Sequence, residues 1–191
     1  MDISTRLIRI FKDYNTSKLN EKRFSNNAKD IRWEYLSAQL NLEYHNELSF
    51  KMIATALKKR EWIKNLHLPD EGHLEFKLFQ KLLKTVHEVC QDEVYFAVQT
   101  PPNTLWITDI EYDLIEMSYD EVLKYFDKYF IGYLYSDSKS WIIHTDTDLL
   151  FTIVGGDQRL VNRILYSDLE AIECTSDTRI DNKSDRLNNI S

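Results

Sequence analysis

The sequence predicts an α+β fold: a helical N-terminal third leads into an antiparallel meander of about five strands with helices on one face. Three observations carry that reading. Up to residue 90 the apolar residues recur at three- and four-residue spacing, the period of an amphipathic helix. Beyond residue 90 the apolar runs become short, β-branched and aromatic, as half-buried strands require. The later runs are joined by a few residues rich in Ser, Thr and Asp, which suits antiparallel neighbours and excludes long crossovers.

In chain order, Ile3, Leu7, Ile10, Phe11 and Tyr14 predict a first helix over 2–14, followed by a polar loop over 15–27. Asp30 is placed to cap a second helix with Trp33, Leu36, Leu40 and Tyr44 on one stripe. Ser49 is placed to cap a third, carrying Ile53, Ala56, Leu57, Ile63 and Leu66, and Pro69 with Gly72 ends that segment. Leu74, Leu78, Phe79, Leu82, Leu83, Val86, Val89 and Cys90 share the apolar face of a fourth. Val94–Val98 and Leu105–Ile107 read as strands around a Pro101-Pro102-Asn103 turn. Ser118 and Glu121 form a capping box that opens a helix with Val122, Leu123 and Phe126. Three strands follow, at Ile131–Tyr135, Trp141–His144 and Leu149–Val154. Gly155-Gly156-Asp157 then leads into a last helix through Leu160, Val161, Ile164 and Leu165. One domain is expected over 1–174, with a helical part to residue 72 and a helix-plus-sheet part after it. The polar stretch 175–191 reads as a frayed tail. The order of elements from residue 73 resembles the topology of GAF- and profilin-like folds, a likeness of topology alone that implies at most a small-molecule sensor.

Hydrophobic residues make up 43% of the chain, enough for a packed core. Thirty-one acids against twenty-four Lys and Arg give a net charge of −7, which disfavours a general nucleic-acid binder. The charge is uneven. Residues 1–90 hold sixteen basic and twelve acidic side chains, whereas residues 91–150 hold three and twelve. The sheet region is therefore acidic and the helical region mildly basic. The N-terminus lacks an apolar signal core, no run of about eighteen apolar residues spans a bilayer, and the two cysteines match no metal or redox spacing. A cytoplasmic protein without a membrane partner is the expectation.

Motifs for chemistry are weak. His144, Asp146 and Asp148 alternate in a metal-compatible way, but the segment reads as a turn without a further ligand, and no metal or other cofactor is expected. Pro69-Asp70 and Glu75-Phe76-Lys77 spell a nuclease-like string at the start of a helical pattern, where the needed strand-end geometry is missing. Gly155–Asp157 lacks the glycines and lysine of a phosphate loop and reads as a corner with Asp157 as helix cap. His87 reads as a packed histidine, and Lys58, Lys59, Arg60 and Lys64 as a solvated ridge. No catalytic residue is identified. What remains is an acidic sheet region interleaved with aromatics, Asp109, Glu111, Tyr112, Asp113, Tyr133, Tyr135, Trp141, Asp146 and Asp148. Acids steer basic partners, and Tyr and Trp anchor interfaces. The expected function is an acidic protein-binding module of the bacterial immunity or antitoxin type, acting on a basic protein. The alternatives are a small-molecule sensor with Phe96, Trp106, Tyr133 and Trp141 around a cavity, and a metal- or phosphate-dependent enzyme.

Overall fold

The structure, a computed structural model, describes residues 6–11, 14–16, 29–58, 66–67, 72–98, 114–145, 149–179 and 185–188. The first half of the chain supplies β1 (Arg6–Phe11), β2 (Tyr14–Thr16), β3 (Lys29–Ile31), α1 (Trp33–Leu40), α2 (Phe50–Lys58), β4 (Leu66–His67), β5 (Leu74–Glu75) and α3 (Phe76–Cys90). The second supplies β6 (Tyr95–Val98), β7 (Leu114–Met117), α4 (Tyr119–Tyr125), β8 (Tyr129–Phe130), β9 (Gly132–Ser136), β10 (Ile142–Thr145), β11 (Phe151–Gly156), α5 (Gln158–Leu165) and β12 (Ala171–Cys174). The principal sheet has seven strands in the order β12-β1-β11-β10-β9-β6-β7, and all its pairings are antiparallel. The α+β class holds, but the five-strand count and the helical N-terminal third do not.

The largest correction is at the N-terminus, where residues 6–11 form β1 instead of a helix, second from the sheet edge between β12 and β11. Ile8 and Ile10 point into one core cluster and Phe11 into another. A strand buried on both faces loses its alternation, and the spacing of Leu7, Ile10 and Phe11 then mimics a helical stripe. β12 carries no clear signal in the sequence either, because Ala171-Ile172-Glu173-Cys174 is only four residues long and is interrupted by Glu173.

The two clusters lie on opposite sides of the sheet. On one side α3, α4 and α5 supply Phe79, Leu82, Leu83, Val86, Val122, Leu160, Val161 and Ile164, packed against Ile8, Ile10, Tyr95, Ala97, Leu134, Ile143 and Val154. On the other, α1 and α2 bring Trp33, Leu36, Leu40, Ile53, Ala56 and Leu57 against Phe11 and Leu150. α1 spans eight residues, too few to persist alone in water, so its stability comes from this packing. Each fully buried Leu, Ile or Phe contributes about 1.5–3 kcal/mol.

The caps divide between local and distant. Ser49 Oγ accepts from Met52 N at 3.3 Å, and Ser118 with Glu121 forms the expected capping box. Asp157 Oδ1 accepts from Leu160 N at 2.8 Å, so Gly155-Gly156-Asp157 is a strand-to-helix corner. A Cβ on Gly156 would meet Leu160 Cδ2 at 2.7 Å, which explains the glycine there by close approach alone. α1 departs from expectation: Asp30 lies in β3, and the helix starts at Trp33 without a local side-chain cap. Glu170 fills the role from 137 residues away, accepting from Trp33 N at 2.8 Å and Glu34 N at 2.7 Å.

Candidate functional site

The register of the sheet sets two rungs on the face that carries α1 and α2. One rung runs through Glu116, Phe96, Tyr135, Ile142, Gly155, Leu7 and Cys174. The other runs through Leu114, Val98, Tyr133, His144, Ile153, Arg9 and Ile172. At the β12-β1-β11 end this face is covered. Arg9 is 1% exposed, donates from Nη1 to Asn46 O at 2.9 Å and from Nη2 to Leu48 O at 3.0 Å, and lies over the rings of Phe11 and Phe151.

At the β10-β9-β6-β7 end no described helix covers it. Strand alternation turns Tyr95 and Ala97 inward and Phe96 and Val98 outward, and the same parity holds on β9 and β10. Leu114 is 55% exposed, Tyr133 38% and Ile142 36%, while Phe96, Val98, Tyr135 and His144 are half-buried. Phe96 stacks with Tyr135 at 5.7 Å between centroids, and Tyr133 with His144 at 3.9 Å. The result is a ring-rich surface, with the exposed Glu116 on its β7 edge. A sheet face of exposed aromatic and aliphatic side chains suits extended protein contact better than enclosure of a small molecule.

The core behind the surface is fixed by polar contacts. Trp141 is 2% exposed, and its Nε1 donates to Asp92 Oδ2 at 2.7 Å, while Ser138 Oγ donates to the other carboxylate oxygen at 3.1 Å. His87 Nδ1 lies 2.6 Å from Tyr95 Oη, and its ring stacks on Tyr119 at 4.4 Å. Burial, with Asp92 nearby, raises the Tyr95 phenol above its ordinary range, so it stays a neutral hydroxyl. Cys90 and Cys174 are free, and burial pushes each thiol up to about 11, far from a reactive thiolate.

Of the residues singled out in the sequence, Tyr133 and Tyr135 share the open surface. Trp141 packs in the core on the other side of the sheet. Asp109, Glu111, Tyr112, Asp113, Asp146 and Asp148 lie outside the described residues, as do Trp106, Lys59, Arg60, Lys64, Asp70 and the strand expected at Leu105–Ile107. Because Trp141 faces away from Phe96 and Tyr133, these three do not line one cavity. Among the described residues no group of three or more His, Cys, Asp or Glu is placed to hold a metal ion. No described helix is long and apolar enough to cross a membrane. Sequence reading missed Phe96, Val98, Leu114 and Ile142 as surface residues. The alternation Tyr95-Phe96-Ala97-Val98 is apolar throughout, so composition gives no sign of which side meets solvent. No family model, curated protein or solved structure matches the chain.

Proposed function

We propose that the protein is a non-catalytic binding module that docks a basic protein on the open half of the sheet, through Phe96, Leu114, Tyr133, Tyr135 and Ile142. The carrying observation is that these side chains stay partly exposed on a face whose other half is covered by helices. The acidic excess between residues 91 and 150, twelve acids against three bases, supplies the complementary field. Such a field speeds encounter and rejects acidic competitors, and the rings supply the contact area. A nucleic-acid-directed toxin, basic because its substrate is anionic, is the partner class this chemistry fits best. The protein would then act as its immunity or antitoxin-type inhibitor.

The test compares wild type with Tyr135→Ser/Ile142→Ser in capture from the host lysate, followed by reconstitution from purified components. Wild type retains a basic protein that raised salt releases, and the double variant does not. Charge reversal of Asp109, Glu111 and Asp113 slows association more than it speeds dissociation. Equal retention by wild type and double variant would sink the reading.

A further inference from the structure

On the side of the sheet away from the open surface, α3 and α5 pack into the larger core and turn a charged face to solvent. Two ion pairs across their seam show that they run antiparallel: Glu88 near the end of α3 with Arg163 at 3.6 Å, and Lys81 earlier in α3 with Asp168 just past α5. One stripe of α3 carries Lys77, Lys81, Lys84 and Glu88, at the spacing that puts side chains on one helix face. One stripe of α5 carries Arg159, Arg163 and, at the helix end, Tyr166. Together the two helices hold five Lys and Arg against one Glu, an excess of four positive charges in a chain whose net charge is −7.

The acids beside this face hold most of its cations loosely. Arg163 and Lys84 share the Glu88 carboxylate at 3.6 and 3.9 Å, and Arg159 reaches Asp157 only at 4.0 Å. The side chains of Lys84, Arg159 and Arg163 are 70%, 70% and 61% exposed, and exposed pairs of this length add little, so a denser anion displaces them. Lys81 is the exception, hydrogen-bonded to Asp168. At 0.1 M salt, charges more than about 10 Å apart are largely screened, so the local excess outweighs the chain's overall sign. Tyr166 is 87% exposed, more than any other described large hydrophobic side chain, and its ring enters neither apolar cluster.

We propose that the α3–α5 face binds single-stranded nucleic acid, with Lys77, Lys84 and Arg163 on phosphates and Tyr166 stacked on a base. Charge complementarity selects a polyanion. The exposed ring selects a strand whose bases are free to stack, which a duplex does not offer. From Lys77 to Lys84 the stripe runs about 10 Å, two turns of helix, which matches a few nucleotides and not a long track. The chain's net negative charge keeps the affinity modest and leaves it sensitive to salt. This face lies across the sheet from the surface assigned to a basic protein, so both can be occupied at once.

The experiment uses the full-length chain and a fluorescein-labelled oligothymidylate of about twelve nucleotides, within the range of single-strand sites. Fluorescence anisotropy should show binding in the micromolar range at about 50 mM salt. Three phosphate contacts on a single strand give a log–log slope of about −2, so affinity should fall about fifteen- to twentyfold by about 200 mM. Lys84→Gln with Arg163→Gln should weaken binding about tenfold or more, and Tyr166→Ala about tenfold. Lys51→Gln with Lys58→Gln, the same charge change on α2, should bind as wild type does. All five side chains are exposed, so the unfolding midpoint should stay close to wild type in every variant. Absence of binding at about 50 mM salt, or an equal loss in the α2 control, would overturn the proposal. So would a matching duplex that competes as well as the single strand, or unchanged affinity in Tyr166→Ala, because the face would then recognise phosphate alone. Self-association lost in the Lys84 and Arg163 variant, without oligonucleotide binding, would assign the face to a second copy instead.

Discussion

Arg9 and Tyr133 stand on the same rung of the sheet, separated only by β11 and β10, yet one is sealed and the other meets solvent. At the Arg9 end, α1, α2 and the 41–49 segment form a third layer, and a cation is tolerated there because two carbonyls and two rings receive it. At the Tyr133 end the described molecule has two layers, and aromatic side chains stack in pairs on the outer face. The difference separates what holds the fold together from what is available to bind. In the covered half, Arg9 Nη1 and Nη2 and both Glu170 carboxylate oxygens are committed to specific backbone partners. The open half keeps apolar and aromatic side chains partly exposed, the condition for an interface.

The strongest test of the comparison is Arg9→Met. The substitution roughly keeps volume but strips Asn46 O and Leu48 O of their donors and removes the cation from Phe11 and Phe151. A loss of about 3 kcal/mol in denaturant unfolding is expected. A loss below about 1 kcal/mol, the size of a surface change, would mean that the covered half is no more committed than the open one. Glu170→Gln is expected to cost about 1–2 kcal/mol, since the carboxylate caps α1 from across the fold and the amide keeps only part of that role. Circular dichroism together with the unfolding midpoint reads it.

The contact of Arg186 with Glu47 gives the next smaller effect, through pH. Hydrogen bonds from Arg186 hold the Glu47 carboxyl at about 2, below its ordinary 4.5. A carboxylate depressed in the folded state adds stability that is complete above the unfolded value and is lost as pH falls through the folded one. Protection of the Ser49 and Asn188 amides, which donate to Asp185 beside that pair, should therefore hold at pH 5 and above and decline between about 4.5 and about 2. In Arg186→Ala, Glu47 loses the partner that depresses it, so protection should already be lower at pH 5 and above, and its decline between about 4.5 and about 2 should flatten. Identical profiles for the two proteins would remove Arg186 from the account.

Legibility in the sequence tracked how local the determinant was. α3, α4 and α5 were readable because their stripes and the Ser118 and Asp157 caps lie within a few residues of the helices they specify. β9, β10 and β11 were readable because turns separate them. β1 is not, since its identity depends on two cores and on two neighbouring strands whose paired residues lie 140 or more positions away in sequence. The Glu170 cap and the Asn188 pairing with Glu43 are likewise set by partners that no local window contains. Composition singles out Tyr133 and Tyr135, which the register places on the open face, and groups Trp141 with them, although β10 starts just after it and the chain turns its indole into the core. Parity along a strand is legible; which parity faces solvent depends on where the helices pack.

The smallest expected effect on stability is the one that most sharpens the functional reading. Tyr135→Ser breaks the stack with Phe96 on a half-buried surface, which should cost about 1 kcal/mol, and Ile142→Ser less than that. The double variant should therefore unfold close to wild type while losing its basic partner. If it unfolds as readily as Arg9→Met, the surface is core in solution and cannot be where a partner docks. If it stays folded and still binds, the acids of the sheet region act without the rings, and the contact lies elsewhere. Only near-native stability combined with lost binding fits a sheet whose one half is sealed by helices and whose other half is sealed by another protein.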